Sequence, residues 1–198
     1  MGLTPVPDDQ IATIVTSLEM RRKPPLRPTP TSPLRLVHWP APDSDKYKAL
    51  FRRIGEPWLW FSRLVRPEAE LRRTLDDPKI EVYAAIDRAG IEVGFIELDF
   101  RTEGVCGIGY FGLVPELIGK GHGGWLMAQT LALAWRRGVT RVWLHTCTLD
   151  HPSALGFYRH HGFVPYKRTV ESFADPRIAG ILAPEAAPHV PMLGSVRR

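Results

Sequence analysis

Four glycines crowd into six residues at Gly119, Gly121, Gly123 and Gly124, with Lys120 and His122 between them. A backbone without side chains can curl tightly there and approach a ligand closely. An apolar run ending at Leu113-Val114 leads into the turn, and a helical pattern from about Trp125 to Arg137 leaves it. The free amides and positive dipole end of that helix point back into the turn, which suits a phosphate or pyrophosphate. From Leu117 to Leu149 there is no Asp or Glu, whereas Lys120, Arg136, Arg137 and Arg141 are basic. These residues favour an anionic ligand held without an obligatory metal, with Lys120 placed to add a charge-assisted contact. The bland alternative is a tight turn with no ligand.

Rival nucleotide patterns match by letter and fail by chemistry. Gly107-Ile108-Gly109-Tyr110-Phe111-Gly112 spells a kinase glycine loop, but no HRD or DFG follows to supply a base and a magnesium ligand. The Gly119–Gly124 turn spells the dinucleotide pattern, but lacks the acid expected about 20 residues later. A Walker loop needs Ser or Thr after its lysine, and Gly121 stands there instead.

Other side chains could move protons. Glu97 and Asp99 alternate with apolar neighbours on one strand, so both point to one face, and Glu97 is the first candidate base. Histidine is the residue type most often used as a base near neutral pH, so His145 is the second candidate. Cys147 shares its face, although a packed thiol is the commoner role. Tyr158 follows a helix start at Pro152 and sits either in a packed helical face or in a site. His160-His161 lack ligand spacing with other metal-type residues, so no metal site is expected.

These groups must be positioned by one mixed α/β domain. The chain has 198 residues, 44% of them hydrophobic and 24% charged, enough for one good core. No apolar run reaches membrane-spanning length and no signal peptide is visible, so a cytoplasmic protein with free thiols at Cys106 and Cys147 is expected. Net charge +5 permits nucleic-acid binding, but no stacked aromatic and arginine motif accompanies it, and no such partner is expected. Strands are predicted at 11–20 (with a helix as the alternative there), 34–38, 80–87, 91–101, 105–114, 141–146 and 163–169. Helices are predicted at 42–53, 67–75, 125–137 and 152–161. Prolines 24, 25, 28, 30 and 33 form an extended connector. The expected organisation is an N-terminal arm at 1–33, a catalytic domain at 34–172 and a wrapping tail at 173–198.

The turn resembles the signature of the GNAT superfamily of acyl-CoA-dependent N-acyltransferases: arginine or glutamine, two residues, glycine, one residue, then glycine or alanine. Here these positions are Ile118, Gly119-Lys120, Gly121, His122 and Gly123. A second match is His151-Pro152-Ser153-Ala154-Leu155-Gly156-Phe157-Tyr158, closed by Gly162-Phe163, where the family often has Asn-Pro-x-Ala-x-x-x-Tyr and Gly-Phe. Ile118 and His151 depart from the usual residues, removing one side-chain contact and altering another.

The resemblance implies a central, mostly antiparallel sheet flanked by helices, with acetyl-CoA as co-substrate and an amine as acceptor. It implies direct transfer in a ternary complex, by a monomer or homodimer with no membrane or nucleic-acid partner. The alternative is a CoA-binding regulatory protein without turnover. Coenzyme contacts would come from Leu113, Val114, Gly119, Lys120, Gly121, His122, Gly123, Gly124 and His151. Tyr158 would protonate the leaving thiolate. The acceptor pocket would include Trp58, Trp60 and Phe61, with Arg63 pairing with a carboxylate on the acceptor.

Overall fold

The computed structural model describes residues 2–25 and 28–194; the parts of the expected arm and tail at 1, 26–27 and 195–198 lie outside the described residues. Among the described residues, seven strands and four α-helices follow one another as β1 (Gln10–Met20), β2 (Arg35–His38), α1 (Ser44–Gly55), α2 (Glu68–Leu75), β3 (Ile80–Ile86), β4 (Glu92–Asp99), β5 (Val105–Leu113), α3 (His122–Ala134), β6 (Arg141–Cys147), α4 (Ala154–His160) and β7 (Val164–Ala174). The strands make one sheet in the order β2-β3-β4-β5-β6-β1-β7. Every neighbouring pair is antiparallel except β5 with β6, which α3 connects as a crossover. The mixed, mostly antiparallel sheet flanked by helices is the expected fold class.

Local chemistry explains the helices. Asp43 caps α1 by accepting from the amides of Asp45 and Lys46. Tyr47, Phe51 and Ile54 then recur at helical spacing and are buried against the sheet, where Phe51 meets Phe95 of β4. Helix α3 starts at His122, inside the glycine cluster, and ends at Ala134. Arg136 and Arg137, read from the sequence as its last turn, therefore lie beyond it.

The largest departure from expectation concerns the first segment. Residues 10–20, within the arm and where a strand is predicted, form an interior strand, pairing with β6 on one side (Val15 opposite Cys147) and β7 on the other (Ile11 opposite Phe173). That pairing also carries β7 on to Ala174, past the end expected at 169. Beyond β7 the tail is fastened by a buried ion pair. Arg177, 2% exposed, grips Asp175 and donates to the carbonyls of Ala186 and Val190. Ile11, Leu59, Leu149, Leu182, Ala186 and Ala187 close a second small core beneath it.

Candidate active site

Strands β5 and β6 pair only where Val105–Gly107 lie beside Arg141–Trp143. Beyond that they separate, and a cavity of about 680 Å3 opens between them. Phe95 and Glu97 lie opposite Gly112 and Tyr110 across the β4–β5 ladder and meet α1, so they mark one face of the sheet. Phe111 points to the other face and meets Phe157 and Tyr158 of α4. Side chains from both faces line the cavity, which therefore runs through the sheet.

On the α3–α4 face the wall is largely backbone. Gly119, Gly121, Gly123 and Gly124 line it, and Gly119 and Gly121 have φ of +76° and +84°, a region most side chains avoid. No side chain caps α3 and its first turn holds no acid, so amide donors remain at its N-terminus. A Cβ at either Gly119 or Gly121 would meet nothing within 4 Å, so the space beside the turn is open. This donor set fits a diphosphate.

The remaining expected coenzyme contacts divide. Leu113 and His151 line the cavity. Lys120 is exposed and outside the lining, and the His122 ring is engaged by Ser32 Oγ at 3.1 Å, which leaves that residue its backbone. Val114 requires correction: it is buried and its N–H donates to the Val93 carbonyl at 2.9 Å. By strand alternation the N–H groups of Phe111 and Leu113, not Val114, face the gap towards β6. His151 Nδ1 is 2.7 Å from Ser153 Oγ, and its ring lies against Trp58 with centroids 5.2 Å apart.

Tyr158 lines the cavity from α4, half-buried. Burial, and then the negative charge of Asp150, push its phenol above the ordinary tyrosine value, so it stays protonated. Asp150 accepts from Thr146 Oγ1 at 2.7 Å, the Cys147 amide at 3.0 Å and Trp60 Nε1 at 3.2 Å. It thus ties the end of β6 to the opposite wall. Cys147 is half-buried, and burial followed by Asp150 raises its thiol, which argues against a nucleophile. His145 is exposed and faces the cavity.

The expected base is displaced by its surroundings. Glu97 is 1% exposed, accepts from Tyr47 Oη at 2.7 Å, forms an ion pair with Arg63, and does not line the cavity. With both oxygens engaged it is a structural anion rather than a base. Arg63 is corrected with it: its guanidinium is committed to Glu97 and faces no acceptor. Burial opposes the Arg63 charge, but Glu97 together with Tyr47 and Tyr110 outweighs it and keeps the guanidinium protonated. Gly109 makes room for the pair, since a Cβ there would come within 2.9 Å of Glu97 Oε1.

Trp58, Trp60 and Phe61 do line the cavity, on the α1 side. They are joined by residues that sequence reasoning missed: Ser62 and Tyr110, whose hydroxyls are 2.5 Å apart, and Thr13, Val15, Glu171 and Phe173 from β1 and β7. No local motif marks the last four. Their two-residue alternation becomes informative only once β1 is known to lie between β6 and β7. Among the described residues, no group of three or more His, Cys, Asp or Glu could hold a metal ion, and no helix is long and apolar enough to cross a membrane.

Residues 41–163 match the profile of the acetyltransferase (GNAT) family. The chain belongs to that family. No curated protein sequence matches it. Solved structures of the same fold include a GCN5-related N-acetyltransferase from Sphaerobacter thermophilus, with 22% identity, a TM-score of 0.60, and coverage of 82% of this chain and 51% of that one. A tandem GNAT protein from the clavulanic acid biosynthesis pathway shares 20% identity over 83% of this chain and 53% of its own, with a TM-score of 0.52. An aminoglycoside acetyltransferase from an uncultured soil metagenomic sample shares 18%, over 66% of this chain and 88% of that one, with a TM-score of 0.53. The chain spans about half the length of the first two.

Proposed function

We propose that this GNAT protein transfers an acetyl group from acetyl-CoA directly to a primary amine of a small-molecule or amino-acid-like acceptor. One observation carries the reading: a single cavity joins the uncapped α3 turn, the Tyr158 phenol and an aromatic wall. The amides of the Gly119–Gly124 turn would hold the coenzyme diphosphate, and its arm would lie along the free edge of β5. There the Phe111 and Leu113 N–H groups can donate to the thioester oxygen as it gains charge.

Tyr158 would return a proton to the departing thiolate. The phenol is protonated at neutral pH and its proton can pass to the thiolate of a thiol whose pKa is about 8.5, an uphill step that the raised phenol makes costlier and that solvent completes by returning a proton to the tyrosine. With Glu97 committed to Arg63, His145 is the lining side chain suited to take the amine proton, directly or through water. The decisive experiment is thiol release from acetyl-CoA across a panel of amines. Release that requires an amine and collapses in Tyr158→Phe supports transfer. Thermal stabilisation by CoA without release from any amine would instead favour a CoA-binding regulatory protein.

A further inference from the structure

The acceptor half of the cavity contains one uncommitted carboxylate. Asp150 is held by three donors, and Glu97 is buried in its ion pair. Glu171 lines the cavity, is exposed, and has no hydrogen-bond or ion-pair partner among the described residues. Its nearest neighbours on that face of the sheet are Thr13 across the ladder and Thr169 and Phe173 along β7, all uncharged. Phe173 packs against Phe61 with centroids 5.1 Å apart and rings tilted by 39°, and both line the same wall. A free carboxylate beside aromatic faces is a recognition set for an ammonium group.

Position decides which ammonium. Glu171 is on β7, separated from β6 by β1, so at ordinary strand spacing it stands about 10 Å from β6. The acyl group would sit on the far side of β6, in the gap with β5. Glu171 is therefore too remote to meet the reacting amine and well placed for a second cation on the same molecule. The cationic side chain of the lining, Arg66, comes from the segment between α1 and α2 and donates to Thr74 Oγ1 at 3.3 Å.

We infer that Glu171 is a specificity-determining residue, selecting acceptors that carry a second positive charge on the order of 10 Å from the amine to be acetylated. The inference rests on the amine-acceptor reading above. The ligand class is an extended diamine or polyamine with an apolar spacer lying along Phe61 and Phe173.

The test uses the full chain saturated with CoA and titrates hexamethylenediamine or hexylamine by calorimetry, with acetyl-CoA turnover measured in parallel. The diamine is expected to bind about fivefold more tightly, an advantage that shrinks in high salt and is lost in Glu171→Gln. The salt series on the unaltered protein needs no variant to fold. Equal affinity for the two amines, or a preference that survives in folded Glu171→Gln, overturns the inference. Thiol release from both amines with equal efficiency would remove the Glu171 role while sustaining acetyl transfer. A Glu171-dependent diamine preference without thiol release would do the reverse.

Discussion

The two halves of the cavity are built by different means. The half proposed for the coenzyme is made of backbone contributed by one continuous stretch, Leu113 through α3, in which glycine conformation and helix polarity would supply the chemistry. The acceptor half is made of side chains from β1, the segment after α1, β6 and β7, held by the β1–β7 ladder and the Arg177 knot. A local device tolerates change elsewhere, whereas an assembled wall depends on contacts between residues far apart in sequence. Substitutions should therefore separate the two halves, and a change at the point where they meet should affect turnover without loosening the coenzyme.

That meeting point is Tyr158, where the largest effect is expected. Tyr158→Phe removes the proposed proton donor and keeps the ring against Phe111 and Phe163. Turnover should fall by about 10²–10⁴-fold, with the CoA dissociation constant unchanged in calorimetry. A loss of CoA affinity as large as the loss of turnover would make the tyrosine a packing residue.

Next comes the assembled wall. Arg177→Met leaves Asp175 buried without its partner, for a cost of about 3–5 kcal/mol. The unfolding midpoint should drop and the acceptor KM rise, because the tail supports Leu59 and Leu149 beside the aromatic wall. CoA affinity, measured below the new midpoint, should hold. Equal damage to coenzyme and acceptor binding would erase the distinction between the halves.

This difference also explains what could be read from the chain in advance. The glycine turn, α3 and the approach to Tyr158 were legible because turns, caps and helix polarity are written in neighbouring residues. The interior position of β1 was not, since nothing in residues 10–20 names β6 and β7 as its partners. Glu97 shows the same limit. Alternation puts it on one face with Asp99, but only the fold brings Arg63 and Tyr47 onto that face and keeps the carboxylate out of the cavity. Val114 failed by a single residue, because which amides of β5 are free depends on its pairing with β4.

The coenzyme half can be tested alone with Gly121→Ala. The native φ of +84° costs a residue with a Cβ about 1–2 kcal/mol, and the turn can relieve that only by moving its amides. CoA affinity should fall by about tenfold, while the acceptor KM at saturating acetyl-CoA stays the same. Unchanged CoA binding would mean that these amides do not hold the diphosphate.

The smallest effect expected is an absence of change with pH. For a proton donor the inactive form is the deprotonated one, so raising its pKa moves the loss of activity to higher pH. Burial and the Asp150 charge both raise Tyr158, and kcat should therefore stay level from about pH 8 to about pH 10, beyond the point where an ordinary phenol begins to ionise. Asp150→Asn removes one of the two causes and should bring the alkaline fall to lower pH. The same substitution weakens the tie between Trp60 and the end of β6, so it should raise the acceptor KM as well. The KM change reads the assembled wall and the shifted limb reads the phenol. A change in KM with no movement of the alkaline limb would show that Asp150 serves the wall alone, and that burial by itself keeps Tyr158 protonated.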